Sequence, residues 1–127
     1  MGDLKVLIHQ LSHDDVKIRM SAATAIGKTG DKNAILFLRN VLEDDSIAVV
    51  RAATLAIGAI GGCEQLEILE SLLDHDELWI RKAAVQAIGN SGCQDATPIL
   101  VNLLGEKSLE ALVREALVLL KVNPDFF

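Results

Sequence analysis

Asp76 to Gly92 reads DELWIRKAAVQAIGNSG. Thirty-one residues earlier, Asp45 to Gly61 reads DSIAVVRAATLAIGAIG, and 31 before that the chain reads DVKIRMSAATAIGKTG from Asp15 to Gly30, behind Asp14. The same spacing relates Gly27, Gly58 and Gly89, then Gly30, Gly61 and Gly92, then Asp14, Asp45 and Asp76. A constant period of this size marks stacked supersecondary units, none of which can bury its apolar face alone. The register divides the chain into one domain of four units, about 1–30, 31–61, 62–92 and 93–127.

Each unit holds two apolar patterns of helical period. Leu4, Leu7 and Leu11 recur as Ile35, Leu38 and Leu42, as Leu66, Leu69 and Leu73, and as Thr97, Leu100 and Leu104. Steps of three and four put each trio on one face, predicting first helices over 3–11, 33–43, 64–73 and 96–104. Val6, Phe37, Ile68 and Ile99 form a second row that widens the face expected to be buried. Asp15, Ser46, Asp76 and Ser108 are the expected N-caps of the second helices, since their oxygens can accept from unpaired backbone N–H groups. Behind the caps come Ile18, Ala22, Ala25 and Ile26, then Val49, Ala53, Ala56 and Ile57, then Ile80, Ala84, Ala87 and Ile88. The fourth copy slips by one, to Leu112, Ala116, Leu119 and Leu120. Gly30, Gly61 and Gly92 suit the left-handed position that ends a helix. Gly27, Gly58 and Gly89 lie inside helices, where glycine costs about 1 kcal/mol relative to alanine. A cost met three times at one register implies a contact that a Cβ would block. The expected fold is all-α: eight helices in four hairpins, stacked as a right-handed solenoid.

Half of the 127 residues are apolar but only 3% are aromatic, so the core is aliphatic. A net charge of -6 argues against a nucleic-acid binder, whose domain is normally basic. The opening MGDLKVLIHQL has neither a cleavage site nor an apolar span, so a soluble cytoplasmic protein without membrane contact is expected. Cys63 and Cys93 lie in near-equivalent loops of adjacent units. Helix pairs stack roughly 10 Å apart, whereas a disulfide wants Cα atoms within about 7 Å. The two are therefore read as free thiols in a reducing compartment.

The strings IRMSAATAIGKTGD, VVRAATLAIGAIGG and WIRKAAVQAIGNSGC resemble the short HEAT-like repeats of the phycobilisome-lyase type, over essentially the whole chain. The resemblance implies an α-solenoid whose second helices line its concave side. There are departures from the pattern. The arginine that follows the apolar residue is present as Arg19 and Arg81, but Val50 and Val113 replace it, so a ladder of Arg–Asp contacts between units is incomplete. Lys121 is read as replacing the glycine inside the last second helix. A HEAT-like hydroxylase family carries His-Glu pairs for a di-iron centre. The comparable pairs here, His13-Asp14 and His75-Asp76, fall in loops, and with His9 they make no metal-ligand spacing. No metal, cofactor or catalytic group is expected.

On the second helices, the face away from the core carries four residues per unit. They are Lys17, Met20, Thr24 and Lys28; Ala48, Arg51, Leu55 and Ala59; Trp79, Lys82, Gln86 and Asn90; and Ala111, Arg114, Val118 and Val122. Five are cations, none is acidic, and the only tryptophan is among them. They are the candidate partner-binding groove, with Trp79 as anchor, because tryptophan and arginine dominate binding hot spots. The function expected is a non-enzymatic scaffold that binds an acidic protein segment there. The alternative, which the resemblance raises, is an accessory or lyase-like protein handling an open-chain tetrapyrrole (a bilin) or its acceptor protein. At the ends, Gln10 stands where later units have Val41, Leu72 and Leu103, as a solvent-facing cap requires. The last second helix, expected over 109–122, is apolar nearly all round and is followed by PDFF. Either that tail folds back as a lid, or this end docks on another chain, as in a homodimer, or on a continuation of this one.

Overall fold

The computed structural model describes residues 2–127. Among them are eight α-helices and no strand: α1 Gly2–Gln10, α2 Val16–Thr29, α3 Ile35–Val41, α4 Ile47–Ile60, α5 Leu66–Ser71, α6 Leu78–Ser91, α7 Thr97–Asn102 and α8 Glu110–Leu119. Single 3-10 turns at Lys32–Ala34, Cys63–Gln65 and Gln94–Ala96 lead into α3, α5 and α7. The long second helices make the spine, α2 packing on α4, α4 on α6 and α6 on α8. Each first helix leans on the second helix of its own unit. The chain is an all-α solenoid of helical hairpins.

Leu7, the central member of the first trio of the first helices, is half-buried, while those of the last three trios, Leu38, Leu69 and Leu100, are fully buried. So are Ile26, Ile57 and Ile88 on the spine, at the same 31-residue spacing. The row Val6, Phe37, Ile68 and Ile99 does not join them. Val6 is 56% exposed and Phe37 38%, while Ile68 and Ile99 are half-buried. A first helix packs on a single neighbour face, so this flank is left on the outer surface.

The glycines inside the spine mark its tightest contacts. A Cβ on Gly27 would lie 2.8 Å from the Cα of Ala56, one on Gly58 2.5 Å from that of Ala87, and one on Gly89 2.9 Å from that of Ala116. The obstacle each time is backbone, which cannot rotate away. Each glycine thus forms a notch for an alanine of the next helix.

These contacts also correct the reading of the fourth unit. Ala56 and Ala87 are 31 residues apart, but Ala87 and Ala116 only 29. The buried residues of α8 follow that shift: Leu109, Val113, Ala116, Leu117 and Leu120, while Leu119 is 56% exposed and Leu112 half-buried. The turn before α8 is two residues short; the caps differ for a separate reason at α6, where the residue 31 on from Ser46 is Glu77 and not Asp76. Asp15 and Ser46 cap α2 and α4, accepting from the N–H groups of Lys17 and Val49. Asp76 and Ser108 do not cap: α6 begins after Glu77 and α8 after Leu109, neither with a side-chain cap bond. Lys121 falls at the register of Gly92 and not of Gly89, and adopts the left-handed backbone itself, with φ of 64°.

Cys63 and Cys93 are joined in a disulfide, with Cα atoms 5.0 Å apart. The expectation of free thiols took the spacing of helix axes for the spacing of loops. Gly61 and Gly62 both have positive φ, at 83° and 92°, and lead the chain back toward the next unit. There the Gly62 N–H donates to the Ser91 carbonyl at 3.0 Å. With the bond in place, the cysteines no longer argue for a reducing compartment. Among the described residues, no helix is long and apolar enough to cross a membrane.

Candidate functional site

The turns between first and second helices repeat one local device. The Nδ1 of His13 accepts from the Asp15 N–H at 3.0 Å, and that of His75 from the Glu77 N–H at 3.0 Å. Asp44, at the same register, accepts from the Ser46 N–H at 2.9 Å. Arg19 and Arg81 each donate to the two carbonyl oxygens of their own turn, His13 and Asp14 in one case, His75 and Asp76 in the other. Arg19 alone continues to the next unit, gripping both Asp44 oxygens at 2.9 and 3.2 Å. Where Val50 takes the arginine's place, His75 takes the aspartate's, so the rung is lost on both sides together. The histidine–aspartate pairs therefore brace turns.

The sixteen candidate groove residues are all exposed or half-buried, with Met20 and Val122 packed against the core. They do not form one uniform groove. A cavity of about 520 Å³ lies toward the C-terminal halves of the second helices. Thr24, Lys28, Arg51, Leu55, Ala59, Gln86 and Asn90 line it, with Ala52 and Ala56. From the last helix it takes Leu112, Glu115, Ala116 and Leu119, and not Arg114 or Val118. The two-residue shortening explains this: displaced by 29, Lys82, Gln86 and Asn90 map onto Ala111, Glu115 and Leu119. The cavity thus has one acid among its cations, which the uniform 31-residue register hid.

Lys17, Met20, Ala48, Trp79, Lys82, Ala111, Arg114, Val118 and Val122 do not line the cavity. Trp79 stands near the start of α6, 60% exposed, with the Lys82 Nζ 4.9 Å from its ring centroid. Arg114 and Val118 border a separate shallow depression with Glu115 and Leu119. Arg114 is already engaged: it pairs with Glu110 at 3.2 Å and donates to the Phe127 main-chain oxygen at 3.1 Å. Its guanidinium also lies 5.8 Å from the Phe127 ring centroid. Phe127 packs on the core, as a lid requires, whereas Phe126 points outward, 79% exposed.

This arrangement of hairpins and notches defines a helical-repeat protein of the HEAT class. The family model described as HEAT repeats matches residues 4–83, and that described as PBS lyase HEAT-like repeat matches 80–106. The chain belongs to the HEAT-repeat family. No curated protein matches its sequence significantly. Among solved structures, it resembles the complex of CpcE and CpcF of phycocyanin lyase from Nostoc sp. PCC7120, at 24% identity and a TM-score of 0.77 over 92% of this chain and 53% of that one. It also resembles human deoxyhypusine hydroxylase in complex with glycerol, at 16% identity and 0.77 over 98% and 44%. An engineered protein aligns at 21% and 0.63 over 94% and 63%. The chain spans about half the length of the first two, and at these identities the likeness is one of fold.

Proposed function

We propose that the chain is a binding module that holds an acidic, partly apolar protein segment in the cavity of its second helices. The observation that carries this reading is the state of the cavity's cations. Lys28 and Arg51 stand over an apolar floor of Leu55, Ala52, Leu112 and Leu119. Among the described residues, neither has a carboxylate within ion-pairing distance, although the protein carries a net charge of -6. Unpaired cations along a concave site steer and orient an anionic ligand, and its apolar lining supplies the burial. Trp79 and Lys82 extend the surface beyond the cavity. A ligand longer than the cavity would reach the free face of the indole.

The test starts from peptides selected for binding from a random display library. The selected peptides should be rich in Asp and Glu interspersed with Leu or Phe. Arg51→Glu should weaken them at least tenfold, about 1.4 kcal/mol, while Arg114→Glu changes little because Arg114 is already paired. Trp79→Ala should weaken long peptides by about 2 kcal/mol and leave stability within about 0.5 kcal/mol. Peptides indifferent to Arg51→Glu would refute the reading. So would a bilin that bound this cavity, shifted its visible band and resisted displacement by every peptide.

A further inference from the structure

The edge of the stack where each second helix passes to the next first helix carries a repeated contact. Between units two and three, Lys32 Nζ meets Glu64 Oε1 at 3.3 Å. One period later those two positions are Cys63 and Asp95. The geometry is kept: an Asp95 carboxylate oxygen and the sulfurs of Cys63 and Cys93 all lie within 4.8 Å of one another. The chemistry is not kept. The ammonium that meets the carboxylate at the first edge is replaced at the second by a sulfur. A second sulfur arrives with Cys93, at the register of Gly62. The repeat thus gathers three ligand atoms suited to a cation at an edge where the lysine of the preceding unit is replaced.

We propose that reduction of the Cys63–Cys93 bond opens a site for a borderline-soft divalent cation of the zinc class, held by both thiolates and the Asp95 carboxylate. Cation and disulfide are then alternative clips between the same two loops. Thiolate and carboxylate are established ligands for such ions, with metal–sulfur distances near 2.3 Å. Two thiolates on a tetrahedral ion sit roughly 3.8 Å apart. Rotation about the two Cα–Cβ bonds reaches that separation from Cα atoms 5.0 Å apart.

The loops do not depend on the sulfur–sulfur bond for their position. Ser91 holds both, its carbonyl accepting from the Gly62 N–H at 3.0 Å and its Oγ from the Cys93 N–H at 3.2 Å. Cys63 and Asp95 are exposed, so a reductant and an ion both reach the site from solvent, while Cys93 is buried beneath them. The exchange balances with a dithiol as co-reactant. Its thiolate attacks the exposed Cys63 sulfur, its second sulfur closes it to a cyclic disulfide, and Cys63 and Cys93 are left as two thiols. The divalent ion then displaces their two protons. Asp95 joins as carboxylate, and the fourth tetrahedral position is left to water.

The experiment uses cadmium as probe, because its thiolate complexes absorb in the ultraviolet. The full chain is titrated in reduced and in oxidised form, with the reductant removed, alongside reduced Asp95→Asn. Expected are a thiolate-to-cadmium band saturating at one equivalent in the reduced chain, no band in the oxidised chain, and binding at least tenfold weaker in Asp95→Asn. Circular dichroism checks that all three forms stay helical, and cadmium should raise the melting temperature of the reduced chain only. A reduced chain without a band, an oxidised chain that binds as well, or an Asp95→Asn chain that matches the parent would each overturn the proposal. None of these readouts involves the concave cavity, so its failure as a peptide site leaves the metal site standing.

Discussion

The first three units and the fourth use the same repeat, but only the first three carry the glycine notch that receives the next helix. Up to Leu104 the fourth unit is in step, its Leu100 buried like Leu38 and Leu69. Two residues are then missing from the turn, and α8 starts without a side-chain cap. Its counterpart of the notch glycine is Val118, and its counterpart of the C-terminal glycine is Lys121. Lys121 accepts a left-handed backbone that costs an L-residue roughly 1–2 kcal/mol. Val118 meets no such penalty, since it is 54% exposed and no helix of the described chain packs into its register. The glycine inside the helix is therefore a requirement of the interface and not of the helix. It is present where a neighbour's alanine must enter and absent where none does.

The least regular unit is also the one joined covalently to the unit before it, so the largest expected effect is there. The bond closes a separation of 30 residues, which in the chain-entropy account stabilises by about 3–4 kcal/mol. Replacing both cysteines by alanine should lower the urea unfolding free energy by that amount. A domain with about 5–15 kcal/mol of stability remains folded after such a loss. Hydrogen exchange should quicken in α7 and α8 before α2 and α4. A loss below about 1 kcal/mol would mean that packing of α8 on α6 holds the fourth unit without the clip.

A second comparison is made at one register. Gly58→Leu drives a side chain into the backbone of Ala87 and should cost about 1–3 kcal/mol or more. Val118→Leu, the same register in the last helix, should change stability by less than about 0.5 kcal/mol. So should Ala59→Leu, adjacent in sequence but exposed at the cavity. Thermal unfolding of the three variants decides the matter. Equal shifts for Gly58→Leu and Val118→Leu would remove the notch as the feature that separates internal from terminal helices.

What the sequence made legible followed from its period. The first three hairpins, the notch glycines and the caps at Asp15 and Ser46 all lie where 31 residues is kept, and each was readable from its neighbours. Inside the regular units the errors were local, the row through Phe37 lying on the outer flank and the cap register falling on Glu77 and not Asp76; the larger errors begin where the period breaks. A shortened turn between Leu104 and Leu109 rotates every later residue, and with Leu112, Ala116, Leu119 and Leu120 as its guide the apolar pattern of α8 fits two phases almost equally. Only contact with Gly89 selects one. That choice brings Glu115 into the cavity and takes Arg114 out of it. The disulfide was hidden for a different reason. Periodicity reports the distance between helix axes, whereas two successive positive-φ glycines, Gly61 and Gly62, set the path of the loop.

The smallest effect separates the two matching edges, Lys32–Glu64 and Cys63–Asp95. The Glu64 carboxyl is held below the usual carboxylate range, first by its own backbone amide and then by the hydrogen bond and charge of Lys32. Its folded-state pKa is depressed, so its contribution to stability is present above the unfolded value and lost as pH falls through the folded one. Glu64 is fully exposed, and a pair in that position is screened by salt. The measurement is therefore a titration followed by NMR and not an unfolding curve. Lys32→Ala should raise the Glu64 pKa only part of the way to its ordinary value, because the larger cause lies in the backbone of the 3-10 turn at Cys63–Gln65. High salt should do the same in the parent chain and almost nothing more in Lys32→Ala. If Lys32→Ala returned Glu64 to an ordinary carboxylate, the lysine and not the turn would place the carboxylate at this edge. The matching position of Asp95 beside Cys63, where no lysine stands, would then need another cause.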